Sequence, residues 1–193
     1  MTLPDYDTAA QALKERVGEK AFSHSENVAR TAGDLALIYG VDPEQARLAG
    51  LLHDWDRELT GEELLSAAAV EDIAVTWADE CSPRLLHART GALALTRAFP
   101  GLSDEIVRSV ELHTLGAVEM SALDMIVYVA DMIEPGRAYK GVDDLRETAG
   151  TVSLEALFAG AYQQSVLHLV RARKPIHPDT VAVWNAHVAR SES

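Results

Sequence analysis

The stretch Ala46-Arg47-Leu48-Ala49-Gly50-Leu51-Leu52-His53-Asp54-Trp55-Asp56-Arg57 constrains this chain more than any other. Ala46, Ala49, Gly50 and His53 fall at i, i+3, i+4 and i+7, so a helix here has one face almost bare until the imidazole arrives. Such a face lets a second helix pack closely, and whatever sits at its end is carried into the interior. A buried carboxylate is costly unless a cation meets it. A neutral imidazole beside an ionised carboxylate is a ready pair of donors for a divalent ion. Taken alone, the pair also has a plainer reading, with Asp54 capping a helix end and His53 a hydrogen-bonded core residue.

The remaining sequence reads as helix after helix. Residues 7–18 predict a mixed helix with Ala10, Leu13 and Val17 inward. From about Phe22 to Tyr39 a second carries Val28, Ala32, Leu35 and Ala36 on one stripe, and Gly40 stops it. Asp42 caps the next with Pro43 in its first turn, and Thr60-Gly61-Glu62-Glu63 is a capping box for a helix through Ala68. Ser82-Pro83 opens one to about Phe99, Ser103 one to His113, Ser121 one to Ile133 and Ser153 a long one to about Arg173. Lys174-Pro175 breaks it, and a last helix covers roughly 179–190. No stretch alternates with period 2, so no strand is predicted. The expectation is an all-α domain of about nine helices.

Charge and cysteine use narrow the class. The net charge of −13 argues against a surface that coats nucleic acid or an anionic membrane, and it obliges any anionic substrate to find its positive charge locally. The lone Cys81 permits no internal disulfide, which fits a reducing cytoplasm. The first residues carry neither a basic n-region nor an apolar h-region, and no apolar run approaches the ~20 residues of a spanning helix. A soluble cytoplasmic protein is expected, with oligomeric state open and a homodimer among the possibilities.

Several polar residues lie on apolar faces. His24 precedes the Val28–Leu35 stripe by one turn. His87 shares a stripe with Gly91, Ala94 and Ala98, and His113 follows Ile106 and Val110 at a helix C-terminus. Asp131 sits in the almost wholly apolar run Leu123–Ile133, with no Lys or Arg within four residues, and so calls for a metal or a distant cation. His168, His177 and His187 lie on more polar stretches and read as structural.

Four histidines and two aspartates therefore reach inward faces in the order His24, His53-Asp54, His87, His113, Asp131. That order resembles the HD superfamily of metal-dependent phosphohydrolases, whose minimal pattern is H…HD…D on a helical bundle. More narrowly, His24-Ser25, Leu51-Leu52-His53-Asp54, His113-Thr114 and Ala130-Asp131-Met132-Ile133-Glu134-Pro135-Gly136-Arg137 look like the YqeK-type symmetrical dinucleoside-tetraphosphate hydrolases. The likeness makes 1–193 a single HD domain with its core at about 20–185. In that pattern a basic residue usually stands three before the first histidine, where this chain has Ala21, and Arg57 stands where a lysine is common.

The resemblance implies one divalent ion on His24, His53, Asp54 and Asp131, with iron favoured and manganese or zinc suited to the same donors. His87 and His113 would either complete a second metal site bridged by Asp54 or contact substrate phosphates; both need the same imidazoles facing one cavity. The ion lowers the pKa of a bound water toward ~7–9. Arg57 and Arg137, three and six residues beyond aspartates of the pattern, would emerge at the mouth and grip polyphosphate. Lys140, Tyr139 and Arg84 are candidates for the same wall, and Pro175–Thr180 for a segment closing over a nucleobase. The implied reaction is hydrolysis of diadenosine tetraphosphate to two ADP, with catalysis by Asp54, His87, His113 and Arg57. Two rivals share these ligands: an HD-type nucleotidase or phosphodiesterase acting on another nucleotide, and a non-catalytic bundle that binds metal and nucleotide.

Overall fold

The computed structural model describes residues 4–188, and every regular element among them is helical. α1 spans Tyr6–Arg16, α2 Glu19–Tyr39, α3 Pro43–Leu52, α4 Gly61–Val70 and α5 Trp77–Cys81. A 3-10 turn at Pro83–Leu86 leads into α6 (His87–Ala98), followed by α7 (Asp104–Leu112), α8 (Ala122–Ile133) and α9 (Val142–Thr148). α10 (Leu154–Arg171) and α11 (Pro178–Val183) complete the set, and α11 passes into a π-helical turn at Trp184–Val188. The all-α class is as expected, but the described residues hold eleven α-helices rather than about nine. The additional two, α5 and α9, have five and seven residues, too short for a 3.6-residue period to register. Residues 189–190 of the expected final helix lie outside the described residues.

Local chemistry places the helix starts. Asp42, Thr60, Ser103, Ser121 and Ser153 each accept a backbone N–H from the first turn that follows, as their side chains predict. Ser82 departs from expectation: its side chain makes no cap bond, Pro83 opens the 3-10 turn, and the α-helix proper begins only at His87. Gly40 closes α2 at φ 75°, a conformation that penalises a β-carbon.

The packing centres on α2 and α3. A β-carbon at Gly50 would lie 3.0 Å from Ala29 Cα and 3.0 Å from the Val28 carbonyl oxygen, so α3 touches the α2 backbone where the bare face predicted close approach. Buried Ala29, Ala32, Ala46 and Ala49 line the same contact region. α8 lies against this pair, buried on nearly every side from Leu123 to Ala130. Across α8 sits α10, whose Phe158 and Tyr162 rings meet Tyr128 at 5.1 and 5.4 Å. α1 clamps the turn after α3 from outside. Arg16 Nε donates to the Trp55 carbonyl at 2.8 Å, Nη2 reaches Asp56 Oδ1 at 2.5 Å, and the guanidinium lies 5.0 Å above the Trp55 ring. No helix among the described residues is long and apolar enough to cross a membrane.

A polar node ties the far end together. Asp79 is buried and accepts from Arg89, from the Thr76 N–H at 2.8 Å and from His177 Nε2 at 3.3 Å. His177 also caps α11, its Nδ1 accepting the Asp179 N–H at 3.1 Å. Its role is structural, as expected. So is that of His187, which donates to the Ala117 carbonyl, while His168 is exposed.

Gly50→Ala pushes a methyl into the α2 backbone; we expect a net loss of about 1–2 kcal/mol, a fall in Tm of roughly 2–6 °C, read by calorimetry. An unchanged Tm would show that the helices are not in backbone contact. For Asp79, burial opposes ionisation, but the Thr76 N–H and hydroxyl, Arg89 and His177 bind the anion and hold its carboxyl below the usual range. Asp79→Ala should lower stability by roughly 2 kcal/mol at pH 7, less than the ~3–5 of a fully buried pair because Arg89 is partly solvated. A depressed folded pKa contributes stability that is present above the unfolded value and lost as pH falls through the folded one. The gap between variant and parent urea midpoints should therefore narrow from pH 7 to pH 3.

Candidate metal centre

The six candidate ligands arrive from helix ends. His24 stands in the second turn of α2, and His53 and Asp54 follow α3 directly. His87 begins α6, His113 follows α7, and Asp131 lies in the last turn of α8. Three of the imidazoles use one local device. The Nδ1–H of His53 donates to the Gly50 carbonyl at 2.8 Å, that of His87 to the Arg84 carbonyl and that of His113 to the Val110 carbonyl at 2.6 Å. Each carbonyl lies three residues earlier; those of Arg84 and Val110 also accept the backbone N–H of the same histidine, so one oxygen serves both donors. His24 reaches the same result through a side chain: its Nδ1 is 3.1 Å from Glu134 Oε1, and Glu134 is itself held by the Gly136 N–H at 2.5 Å. With each Nδ1 proton committed outward, all four Nε2 atoms present lone pairs inward.

Those lone pairs meet other acceptors. His24 Nε2 is 3.0 Å from Asp131 Oδ1 and 3.7 Å from Asp54 Oδ2. His53 Nε2 is 3.3 Å from Asp54 Oδ2 and 3.8 Å from Asp131 Oδ1. On the other side, His87 Nε2 is 2.9 Å from Asp54 Oδ1 and 3.0 Å from His113 Nε2, which is 3.6 Å from the same oxygen. Asp54 thus divides the cluster, one carboxylate oxygen facing His24 and His53 and the other facing His87 and His113. His53 Nε2 is fully buried and has no hydrogen-bond partner. Acceptors packed this closely repel one another unless a positive charge lies among them. Donor atoms of His24, His53 and Asp131, and those of His53, Asp54 and His113, all lie within 4.8 Å of one another, a spacing that suits a divalent ion. Imidazole and carboxylate together fit a transition metal.

The shifts at Asp54, Asp131 and His113 agree with this geometry. Burial opposes the Asp54 anion, yet His53, His113 and His87 hold its carboxyl well below the usual range. Burial likewise opposes the Asp131 anion, and His24, His53 and Arg137 lower it strongly. His113 is pushed down to about 4, first by burial and then by the neighbouring imidazoles, so it stays neutral and keeps a lone pair to donate. For His53 burial favours the neutral form, but the Asp54 and Asp131 charges outweigh it and raise its pKa. A metal ion answers those same charges without a proton.

The cluster opens where the side chains of His24 and Asp131 are 19% and 21% exposed, and it is sealed behind His53 at 0%. Arg137 stands at that edge. Its guanidinium binds the Asp131 carboxylate, its Nε donates to the Asp131 carbonyl at 2.7 Å, and it lies 3.8 Å from Glu134 Oε1. The distant cation that Asp131 calls for is therefore Arg137. Arg57 is half-buried, and among the described residues its guanidinium has no hydrogen-bond or ion-pair partner. Lys140 and Arg84 are exposed and their side chains touch none of the six; Arg84 serves the site through its carbonyl instead. Glu134 carries no role in the sequence reading. Its i+3 spacing from Asp131 at a helix end is the only signal of it.

Comparison with known proteins places this arrangement. Residues 21–136 match the family model of the HD domain. The symmetrical bis(5'-nucleosyl)-tetraphosphatase of Bacillus subtilis (strain 168) is 31% identical over 185 residues, 96% of this chain and 98% of that protein. The enzyme of the same name from Halalkalibacterium halodurans is 33% identical over 181 residues, 92% of this chain and 94% of the relative. The crystal structure of a predicted HD superfamily hydrolase involved in NAD metabolism from Clostridium acetobutylicum superposes with a TM-score of 0.90 at 32% identity, covering 98% of this chain and 100% of that one. With nearly its whole length shared in this way, the chain belongs to the HD domain family, in the branch of the symmetrical bis(5'-nucleosyl)-tetraphosphatases.

Proposed function

We propose that this chain, working as a single HD domain, hydrolyses diadenosine tetraphosphate symmetrically to two ADP. The observation that carries the reading is the set of four inward Nε2 lone pairs facing two ionised carboxylates, in a chain that aligns nearly end to end with symmetrical tetraphosphatases. HD domain hydrolases bind divalent metal, and the donor set fits one. His24, His53, Asp54 and Asp131 would hold the first ion. The split of Asp54 between two imidazole pairs supports a second, on His87, His113 and Asp54 Oδ1. Iron suits this mix of imidazole and carboxylate donors, as manganese and zinc do to a lesser degree. When bound, a divalent ion supplies an acidified water and neutralises phosphoryl charge.

The reaction adds water at one of the two central phosphorus atoms. The bond from that phosphorus to the central bridging oxygen breaks, and the oxygen leaves on the second ADP. Asp54 and the imidazoles fix where this happens, since their Nδ1 bonds leave the rings no other useful orientation. Arg57, whose guanidinium has no partner among the described residues, binds the polyphosphate. Arg137 reaches the phosphates from the open edge while holding Asp131, and Lys140 extends that edge. Glu134 orients His24. The single exposed Cys81 fits a reducing cytoplasm as the working compartment.

Chromatography of the products from diadenosine tetraphosphate should show ADP alone; ATP with AMP would overturn the symmetrical reading. Asp54→Ala should lose bound metal by elemental analysis and reduce turnover to background. A variant that keeps both would end the assignment of the cluster. Removing outer-shell partners and phosphate ligands should be separable by kinetics. Glu134→Ala should weaken metal affinity by about 10–100-fold, with activity restored by excess metal. Arg57→Ala should raise KM about tenfold or more at unchanged metal content.

A further inference from the structure

A pocket of about 260 Å³ lies beside the His87 and His113 end of the cluster. Ala88, Leu112, Ala182 and Val183 give it apolar walls. Thr114 lines it too, and the Thr114 hydroxyl lies 3.2 Å from His113 Nε2, so the pocket approaches to within one side chain of the candidate metal centre. Gly116 allows the wall to form. Its φ is +70°, and a β-carbon there would lie 3.3 Å from Val183 Cγ1, so glycine lets the loop after His113 lie against α11.

Charge marks the mouth of this pocket. Glu111 and Asp179 line it; among the described residues neither carboxylate is paired with Lys or Arg, and Asp179 Oδ2 lies 3.5 Å from His177 Nδ1. Arg89 also lines it, but that guanidinium is held by Asp79 and by the Ala74 carbonyl. The lining therefore carries two carboxylates to one guanidinium, and that guanidinium is turned to Asp79. Such a lining repels phosphate and accepts N–H groups. Its volume sits just under the ~300 Å³ at which drug-sized sites begin, which suits one nucleoside and excludes two. The segment Pro175–Thr180 leads into α11, and Asp179, Ala182 and Val183 form the wall on this side.

We propose that this pocket takes one adenosine of the dinucleotide, its ring faces between the apolar walls and its exocyclic amino group donating to Glu111 or Asp179. The proposal rests on reading the cluster as a dinucleoside tetraphosphate hydrolase. It adds where the base binds and which residues select it. A ribose placed near Thr114 points its 5' phosphate toward the cluster, and the chain of phosphates then runs on to the arginines.

The test uses the metal-loaded protein and its Ala182→Phe variant, in which an exposed α11 residue fills the pocket without entering the core. Adenosine and inosine, which lacks the amino group, are each titrated by calorimetry, and KM and kcat are measured with diadenosine tetraphosphate. Wild type should bind adenosine at least about threefold more tightly than inosine. Ala182→Phe should lose adenosine binding and raise KM about tenfold, with a smaller change in kcat. Asp179→Ala combined with Glu111→Ala should erase the preference for adenosine over inosine. Unaltered adenosine affinity and KM in Ala182→Phe, with Tm and metal content matching wild type, would overturn the pocket. If Ala182→Phe does not fold, the carboxylate double variant decides: a retained preference for adenosine overturns the proposal. If wild type fails to turn over the tetraphosphate, the hydrolase reading falls, and the adenosine titrations still decide the pocket by themselves.

Discussion

Four ring protons, each committed away from the cavity, decide what the centre of this molecule is able to do. His53, His87 and His113 spend theirs on main-chain carbonyls three residues back, and His24 spends its own on Glu134. What remains inside is a set of lone pairs and carboxylate oxygens separated by about 3–4 Å. In a buried site that arrangement is unfavourable without positive charge. Arg137 provides some at the Asp131 edge, and among the described residues no arginine or lysine is bound to Asp54. The chemistry of a bound metal follows from this electrostatic demand.

The fold serves the demand by placing helix ends. For His53, His87 and His113 the ring N–H meets a carbonyl three residues behind it, so the tautomer of these three is set locally and does not depend on the rest of the protein. Bringing the ends together is a separate matter of packing. The close contact of α2 with α3 at Gly50 draws His24 and His53 into one cavity, their ring centroids 5.3 Å apart. Gly91 lets α6 settle against the Trp55-Asp56 turn, which Arg16 holds from the other side. α1 therefore supports the His53-Asp54 turn although it precedes residues 21–136, which match the HD domain model.

An acidic protein acting on a polyanion must separate charge over short distances. With a net charge of −13, long-range attraction of substrate is not available, and affinity has to come from the ions and from a few arginines beside them. Arg137 comes from the same short segment as Asp131 and binds its carboxylate, so carboxylate and counter-charge arrive together there. The acidic lining beyond Thr114 continues the pattern, with a surface that disfavours phosphate next to one that requires it.

Features carried by near neighbours in the chain were legible from residues alone. Helix starts at Asp42, Thr60, Ser103, Ser121 and Ser153 follow from one side chain and the next three amides. The inward faces carrying His24, His53, His87, His113 and Asp131 follow from the 3.6-residue period. Helices α5 and α9 escaped because they are shorter than two full periods, and Ser82 because Pro83 diverts the chain into a 3-10 turn. Only the tertiary structure decided which groups meet across long intervals. His24 finds Glu134 at a separation of 110 residues and Asp54 divides its oxygens between two imidazole pairs; even over six residues, packing decided that Arg137 turns to Asp131, while Arg57 has no partner among the described residues. The physical reason is that periodicity and capping are short-range constraints, whereas the direction of a long side chain is set by the charges and shapes that packing brings around it.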